Sequence, residues 1–153
     1  MNYVDLFSEQ SILLDLQVSD SDSALSAMVD RMAVLNPTLA DRKAELLAAL
    51  LAREAQGSTG DAGVGMPHIK MAGLTDVAVV IGVHREGLEF AALDAESVKV
   101  FFCVVRPEEG ADEHLGLLRW LAGIAKHQDF VSFSVQATEA QQVIDLLSEL
   151  AAA

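Results

Sequence analysis

The stretch "REAQGSTGDAGVGMPHIK", Arg53 to Lys70, places one histidine, His68, directly after a proline and behind four glycines. Glycine lets a backbone approach a ligand closely and adopt positive φ, and proline stiffens the turn in which it sits. The segment reads as a support that holds His68 still, and the elements on either side of it decide the fold.

Upstream, "SILLDLQV" (11–18) alternates Ile12, Leu14, Leu16 and Val18 on one face, the period of a half-buried strand. In "SDSALSAMVDRMAVL" (21–35), Leu25, Met28, Val29, Met32 and Leu35 recur at spacings of three and four behind Ser and Asp capping residues, which predicts an amphipathic helix over 23–35. Asn36-Pro37 ends it. "DRKAELLAALLAREAQG" (41–57) puts Leu46, Leu47, Leu50 and Leu51 on one side of a second helix that stops near Gly57, so Arg53 falls in its last turns.

Downstream, "VAVVIGV" (77–83) and "VKVFFCVV" (98–105) are continuous apolar runs bounded by turn residues. Such runs belong to strands buried on both faces and covered by helices on either side. "DEHLGLLRWLAGIAKH" (112–127) brings Leu115, Leu118, Ala122 and Ile124 or Ala125 to a common helical face. A further strand is expected at 130–135, and "TEAQQVIDLLSEL" opens a last helix with a Thr138–Gln141 capping box. This order predicts an α/β layout, one domain over 1–153, without internal repeats.

A chain of 153 residues that is 52% hydrophobic fits one core. The formal net charge of -13, with a pI near 4.4, sets the protein against nucleic acid and anionic membrane as main partners and suits a docking partner with a basic face. The run 77–83 is too short to span a bilayer, and "MNYVDLFSEQ" lacks the basic and apolar layout of a signal peptide, so a cytoplasmic location is expected. Cys103, the one cysteine, has no partner for an internal disulfide and reads as a buried, inert thiol. Neither an HExxH nor a paired CxxC is present, and "GSTGDAGVG" matches neither a P-loop nor a dinucleotide fingerprint. No metal and no organic cofactor are expected.

A histidine that accepts a phosphoryl group on a ring nitrogen needs exposure, a fixed orientation and nearby donors for the dianion. Glycine-rich backbone amides, a neighbouring imidazole such as His114, and the positive charges of Arg53 and Lys70 meet that need. The spacing by itself equally fits His68 as a turn residue and His114 as a solvated helix-opening residue. His84, at a strand end, and His127, at a helix end, read as surface residues.

The run "LLAREAQGSTG…GVGMPHIK" resembles the signature of the phosphotransferase-system enzyme IIA domains of the fructose, mannitol and nitrogen-regulatory class. "EHLGLLRWLAGIAK" is similar to that family's second histidine motif, and the two motifs stand in the family's order over nearly the whole chain. The resemblance implies a mixed β-sheet flanked by helices on both faces. It implies that His68 takes a phosphoryl group from an HPr-type phosphocarrier, that His114 supports it, and that Arg53, Ser58 and Thr59 shape the pocket, with Lys70 adding charge. Two positions depart from the family pattern: Ile69 stands where glycine follows the active histidine, and Asp61 where an uncharged residue is usual.

Three roles are compatible with this resemblance. The chain is a nitrogen-class regulator whose phosphorylation state controls binding to a target protein, a sugar-specific relay passing phosphate to a IIB domain, or an interaction module that keeps the fold without the phosphorylation. Without fused IIB or IIC segments in these residues, the expectation leans to the regulator. In the first two roles the protein is a phosphohistidine relay more than a free-standing catalyst.

Overall fold

A computed structural model describes residues 2–57, 59–90, 97–127 and 129–152. The centre of the fold is the antiparallel pair β4 (Ala78–Leu88) and β5 (Val98–Pro107), in register from Ala78↔Val105 to Val83↔Val100. On its free side β4 takes β1 (Ile12–Leu13) in parallel. On its own free side β5 takes β2 (Val64–Gly65) and β3 (His68–Met71), also in parallel. Both short strands keep the same offset to β5, Val64↔Val100 and His68↔Val104, so 64–71 is one edge strand interrupted at Met66-Pro67. Proline has no N–H for the ladder, which explains the interruption. The Pro67 carbonyl still accepts from the Val104 N–H at 3.0 Å.

Because successive side chains of a strand point to opposite faces, the two apolar runs fill two cores. On one face Ala78, Val80, Cys103 and Val105 pack under α1 (Ser21–Leu35), α2 (Pro37–Ala40) and α3 (Lys43–Ala55). On the other, Val79, Ile81, Val83, Phe102 and Val104 pack under α4 (Ala111–Ala125), α5 (Phe130–Gln136) and α6 (Ala140–Ala152). The result is the mixed sheet with helices on both faces that the resemblance implies, with five strands among the described residues. No helix among them is long and apolar enough to cross a membrane.

Four local expectations are corrected. The first strand is two residues long, and 12–18 does not present one face: Ile12 and Leu14 pack into the second core, Leu16 and Val18 into the first. Residues 130–136 form helix α5 and not a strand. Its buried positions are Phe130, Ser134 and, just beyond it, Ala137, a helical spacing that lets Phe130 stack on Phe102 at 5.4 Å. Tertiary contact overrides the β-propensity of "FVSFSV" there. The Arg85 guanidinium completes the helix by donating to the Val135 and Ala137 carbonyls at its C-terminus. At the start of α6 the capping side chain is Gln142 and not Gln141: its Oε1 accepts from the Thr138 and Glu139 N–H groups at 2.7 and 3.0 Å.

The fourth correction concerns His84, which is a buried residue of β4 and not a surface one, at 8% exposure. Its Nδ1 accepts from the Gly87 N–H at 3.0 Å, and its Nε2 donates to the Val18 carbonyl at 2.8 Å. The ring ties the chain ahead of α1 to the irregular end of β4, where the pairing with β5 shifts register between Val83 and Leu88. His127 is exposed.

Candidate functional site

His68 opens β3 at the sheet edge, half-buried. Ile69 and Met71 turn into the first core, so by alternation His68 and Lys70 face the α4–α6 side. Ile69 takes an extended conformation, needs no positive φ, and is itself partly buried against that core. The turn that delivers the edge strand is a tight one: Asp61 and Val64 exchange both backbone bonds, at 2.8 and 2.9 Å. The two residues between them, Ala62 and Gly63, have φ of 52° and 81°. Glycine adopts that left-handed region freely and alanine only with strain. Asp61 is exposed at the start of the turn.

The orientation of the His68 ring follows from a single contact. Its Nδ1 lies 2.6 Å from the Met66 carbonyl oxygen. A carbonyl can only accept, so Nδ1 carries a proton, and in the neutral ring Nε2 keeps its lone pair. The ring thus has one nitrogen fixed against its own turn and one nitrogen available as a nucleophile.

The Met66 backbone that holds this ring is itself bonded to residues that the sequence reading did not connect. The Thr59 hydroxyl donates to the Glu54 carboxylate at 2.9 Å, and the Thr59 N–H reaches the same oxygen at 3.2 Å. The Thr59 oxygen in turn accepts the Met66 N–H at 3.1 Å. Its one proton and this acceptor site are therefore engaged inside the protein. Glu54 was legible in one respect: a carboxylate in the last turn of a helix opposes the helix dipole, and calls for a local partner. Burial, followed by the negative charge of Glu54, pushes the Cys103 thiol up to about 12.

Of the remaining expected site residues, Arg53 lies on α3, Lys70 on β3 and His114 on α4. The Arg53 Nη1 donates to the Gly57 carbonyl at 3.0 Å, which spans the junction of α3 and the glycine segment. Lys70 is exposed two residues along the strand from His68. Ser58 lies outside the described residues. His114 sits in the first turn of α4, on the same side of the sheet as His68. Its neighbour Gly110 has a φ of 76°, and a Cβ there would stand 3.4 Å from His114 Nε2. The ring lines an open cleft of about 620 Å³ together with Leu6, Thr75, Asp76, Pro107 and Glu113. Among the described residues no hydrogen bond joins His68 to His114. Nor do these residues place three or more His, Cys, Asp or Glu side chains together to hold a metal ion.

The fold is that of a known class of phosphotransferase-system proteins. Residues 5–150 match the family described as phosphoenolpyruvate-dependent sugar phosphotransferase system, EIIA 2, and the chain belongs to it. The fructose-specific EIIA component of Haloferax volcanii is 31% identical over 140 residues, covering 91% of this chain and 90% of that protein. A nitrogen regulatory protein of Bradyrhizobium diazoefficiens is 26% identical over 149 residues, covering 97% and 95%. Among solved structures, the nitrogen regulatory protein IIA-Ntr of Neisseria meningitidis superposes with a TM-score of 0.85 at 26% identity, over 94% of this chain and 97% of that one.

Proposed function

We propose that the protein is a phosphoryl carrier that accepts phosphate on His68 Nε2 from a histidine-phosphorylated carrier of the HPr type. The observation that carries this reading is the Nδ1 contact to the Met66 carbonyl, which in the neutral ring leaves the Nε2 lone pair free on a half-buried, oriented ring. In the transfer, the Nε2 lone pair forms the new N–P bond while the carrier's N–P bond breaks. The electron pair of the broken bond returns to the carrier's ring nitrogen. The Nδ1 proton stays where it is, and the Met66 oxygen stabilises the positive charge that the ring acquires as it is phosphorylated. Lys70, Arg53 and Ser58 supply charge and donors around the dianion, and His114 supports the transfer from the α4 side. The net charge of -13 suits a carrier with a basic docking face. Neither metal nor organic cofactor takes part.

In role, the protein is a nitrogen-class regulator, a reading supported by its likeness to IIA-Ntr over nearly the whole of both chains. A phosphoryl group places about -1.5 to -2 charges at the site and weakens a contact made by the unmodified face. The second reading, a sugar-specific relay that hands the phosphate to a IIB domain, is favoured by the identity to the fructose-specific component.

The deciding experiment incubates the protein with phosphoenolpyruvate, enzyme I and an HPr-type carrier and follows intact mass. One phosphoryl group is expected, acid-labile and alkali-stable, and absent from His68→Ala. Equal labelling of that variant removes the assignment. The two roles part in a pull-down from cell extract: a state-dependent partner other than a IIB domain supports the regulator. Transfer of the label to a IIB domain as the sole state-dependent interaction supports the relay.

A further inference from the structure

We infer that Glu54 and Thr59 are positioning residues for His68, acting through the Met66 backbone to fix the tautomer that leaves Nε2 nucleophilic. The inference rests on His68 as the phosphoryl acceptor, and it names what holds that residue ready. The connection runs through four groups in hydrogen-bond contact. The Glu54 carboxylate accepts the Thr59 hydroxyl proton at 2.9 Å from Oε1 and 3.2 Å from Oε2. With its proton so directed, the Thr59 oxygen presents a lone pair to the Met66 N–H at 3.1 Å. Met66 is thereby held at its nitrogen, and its carbonyl is held at the other end by His68 Nδ1–H at 2.6 Å.

Each link is directional in a way that matters for the ring. An ionised carboxylate can only accept, so Thr59 must donate to it, and a hydroxyl that donates its one proton there can only accept from Met66. If Thr59 turned its proton toward Met66 instead, two N–H and O–H donors would face each other and the Met66 peptide would move. The next peptide, Met66-Pro67, carries no N–H, so on the proline side the nearest ladder bond is that of the Pro67 carbonyl to the Val104 N–H at 3.0 Å. The anchor at the Met66 nitrogen fixes the peptide on the near side of the carbonyl, and the bond between Pro67 and Val104 fixes it on the far side. Charge-assisted bonds such as Thr59 to Glu54 are shorter and stronger than neutral ones, which suits Glu54 as the fixed end. Without the relay, the carbonyl is free to turn away, and the His68 proton redistributes between its two nitrogens. An Nε2 that carries the proton has no lone pair for phosphorus.

This assigns the Thr59 hydroxyl to the support of the Met66 backbone and not to the donors for the phosphate. Its role is separable from that of Arg53 or Lys70 by a readout other than rate. The test records long-range proton–nitrogen correlation spectra of the uniformly ¹⁵N-labelled full chain, with the His68 ring signals assigned by their loss in His68→Gln. Wild type is expected to show Nδ1 protonated and Nε2 bare. Thr59→Val keeps the shape and removes the hydroxyl; its His68 signals should move to averaged values of mixed tautomers, and phosphoryl uptake should slow by about tenfold or more. Thr59→Ser should restore both. Glu54→Gln retains an acceptor oxygen and should keep the wild-type tautomer, whereas Glu54→Ala should behave as Thr59→Val.

Thermal denaturation of each variant separates this from a merely structural effect, which would lower the midpoint and leave the ring signals of the folded protein unchanged. Wild-type ring signals in both folded Thr59→Val and Glu54→Ala overturn the inference. Should Thr59→Val not fold, Glu54→Ala decides it, since that change removes the acceptor that directs the Thr59 proton away from Met66 and so frees the Thr59 hydroxyl to turn. A wild-type protein that takes no phosphate refutes the carrier reading, while the tautomer comparison still decides the relay.

Discussion

His68 and His84 carry the same ring into two parts of one sheet and are used in opposite ways. At the sheet edge, His68 gives its Nδ1 proton to the Met66 carbonyl and keeps Nε2 free. At the end of β4, His84 donates from Nε2 to Val18 and accepts at Nδ1 from Gly87, so both nitrogens are spent on backbone. The tautomers are therefore opposite. A half-satisfied ring on a rigid support has reactive capacity left over; a fully satisfied one in the core has none and serves as a clasp. The difference lies in the partner count, and burial alone does not reveal it.

The largest contrast is expected in phosphorylation itself. His68→Ala should lose the label completely while its melting curve stays close to wild type, because a half-buried edge side chain leaves little cavity. His84→Ala should keep the label. Reversal of that pattern in intact-mass measurements breaks the comparison outright.

His114 is the intermediate case, because among the described residues neither of its nitrogens makes a hydrogen bond, and its ring lines an open cleft at the start of α4. A positioned imidazole that acts in the transition state contributes typically about 10²–10⁴-fold. Rapid-quench transfer from the same carrier should show His114→Ala slowed within that range with the fold intact. Unchanged rates would return His114 to the solvated residues that open helices.

For the clasp, the effect is on stability. Removing the His84 ring leaves the Val18 carbonyl and the Gly87 N–H without their partner in a buried place, at a cost of about 2–4 kcal/mol, including the cavity. Urea denaturation at constant slope is the measurement, and a cost below about 0.5 kcal/mol would show that water replaces the ring without penalty.

Cys103 supplies the smallest effect and the clearest case of a nucleophile closed off by its surroundings. Its thiol is pushed up to about 12, first by burial and then by Glu54, from an ordinary value of 9.0. The folded chain therefore holds this proton more tightly than the unfolded one. The corresponding stabilisation is complete below the ordinary value and is lost as pH rises from there toward the folded value. Relative to Cys103→Ala, the urea midpoint of wild type should fall between about pH 8 and pH 10.5, and thiol reagents at about pH 8 should label only unfolded protein. Labelling of the native protein at the rate of a free thiol contradicts both.

The fold was legible in outline because its signals are local and repetitive. The apolar spacings of 21–35 and 41–57, and the unbroken runs at 77–83 and 98–105, each follow from a hydrophobic period that a helix or a doubly covered strand requires. His68 was legible as well, since a proline and four glycines around one histidine are a local arrangement. The family's two histidine motifs could be read in order. What failed was local propensity in the face of tertiary contact. "FVSFSV" has the composition of a strand, and becomes α5 because Phe130 stacks on Phe102 and Arg85 donates to the carbonyls at its end.

By itself, then, the sequence determined that helices cover both faces of an apolar sheet and which histidine stands in a rigid glycine-proline segment, because burial and backbone preference act between near neighbours. Only the tertiary structure decided which nitrogen of that histidine is free, that Glu54 and Thr59 connect to the Met66 backbone that holds it, and that His84 is a core residue. Those outcomes depend on hydrogen bonds whose partners are fixed by the packing, as with Val18 and His84, 66 residues apart in the chain. No periodicity encodes such a pair. It exists only once the sheet and the chain ahead of α1 have been brought together, where an unpaired buried polar group is costly enough to dictate the tautomer of a ring.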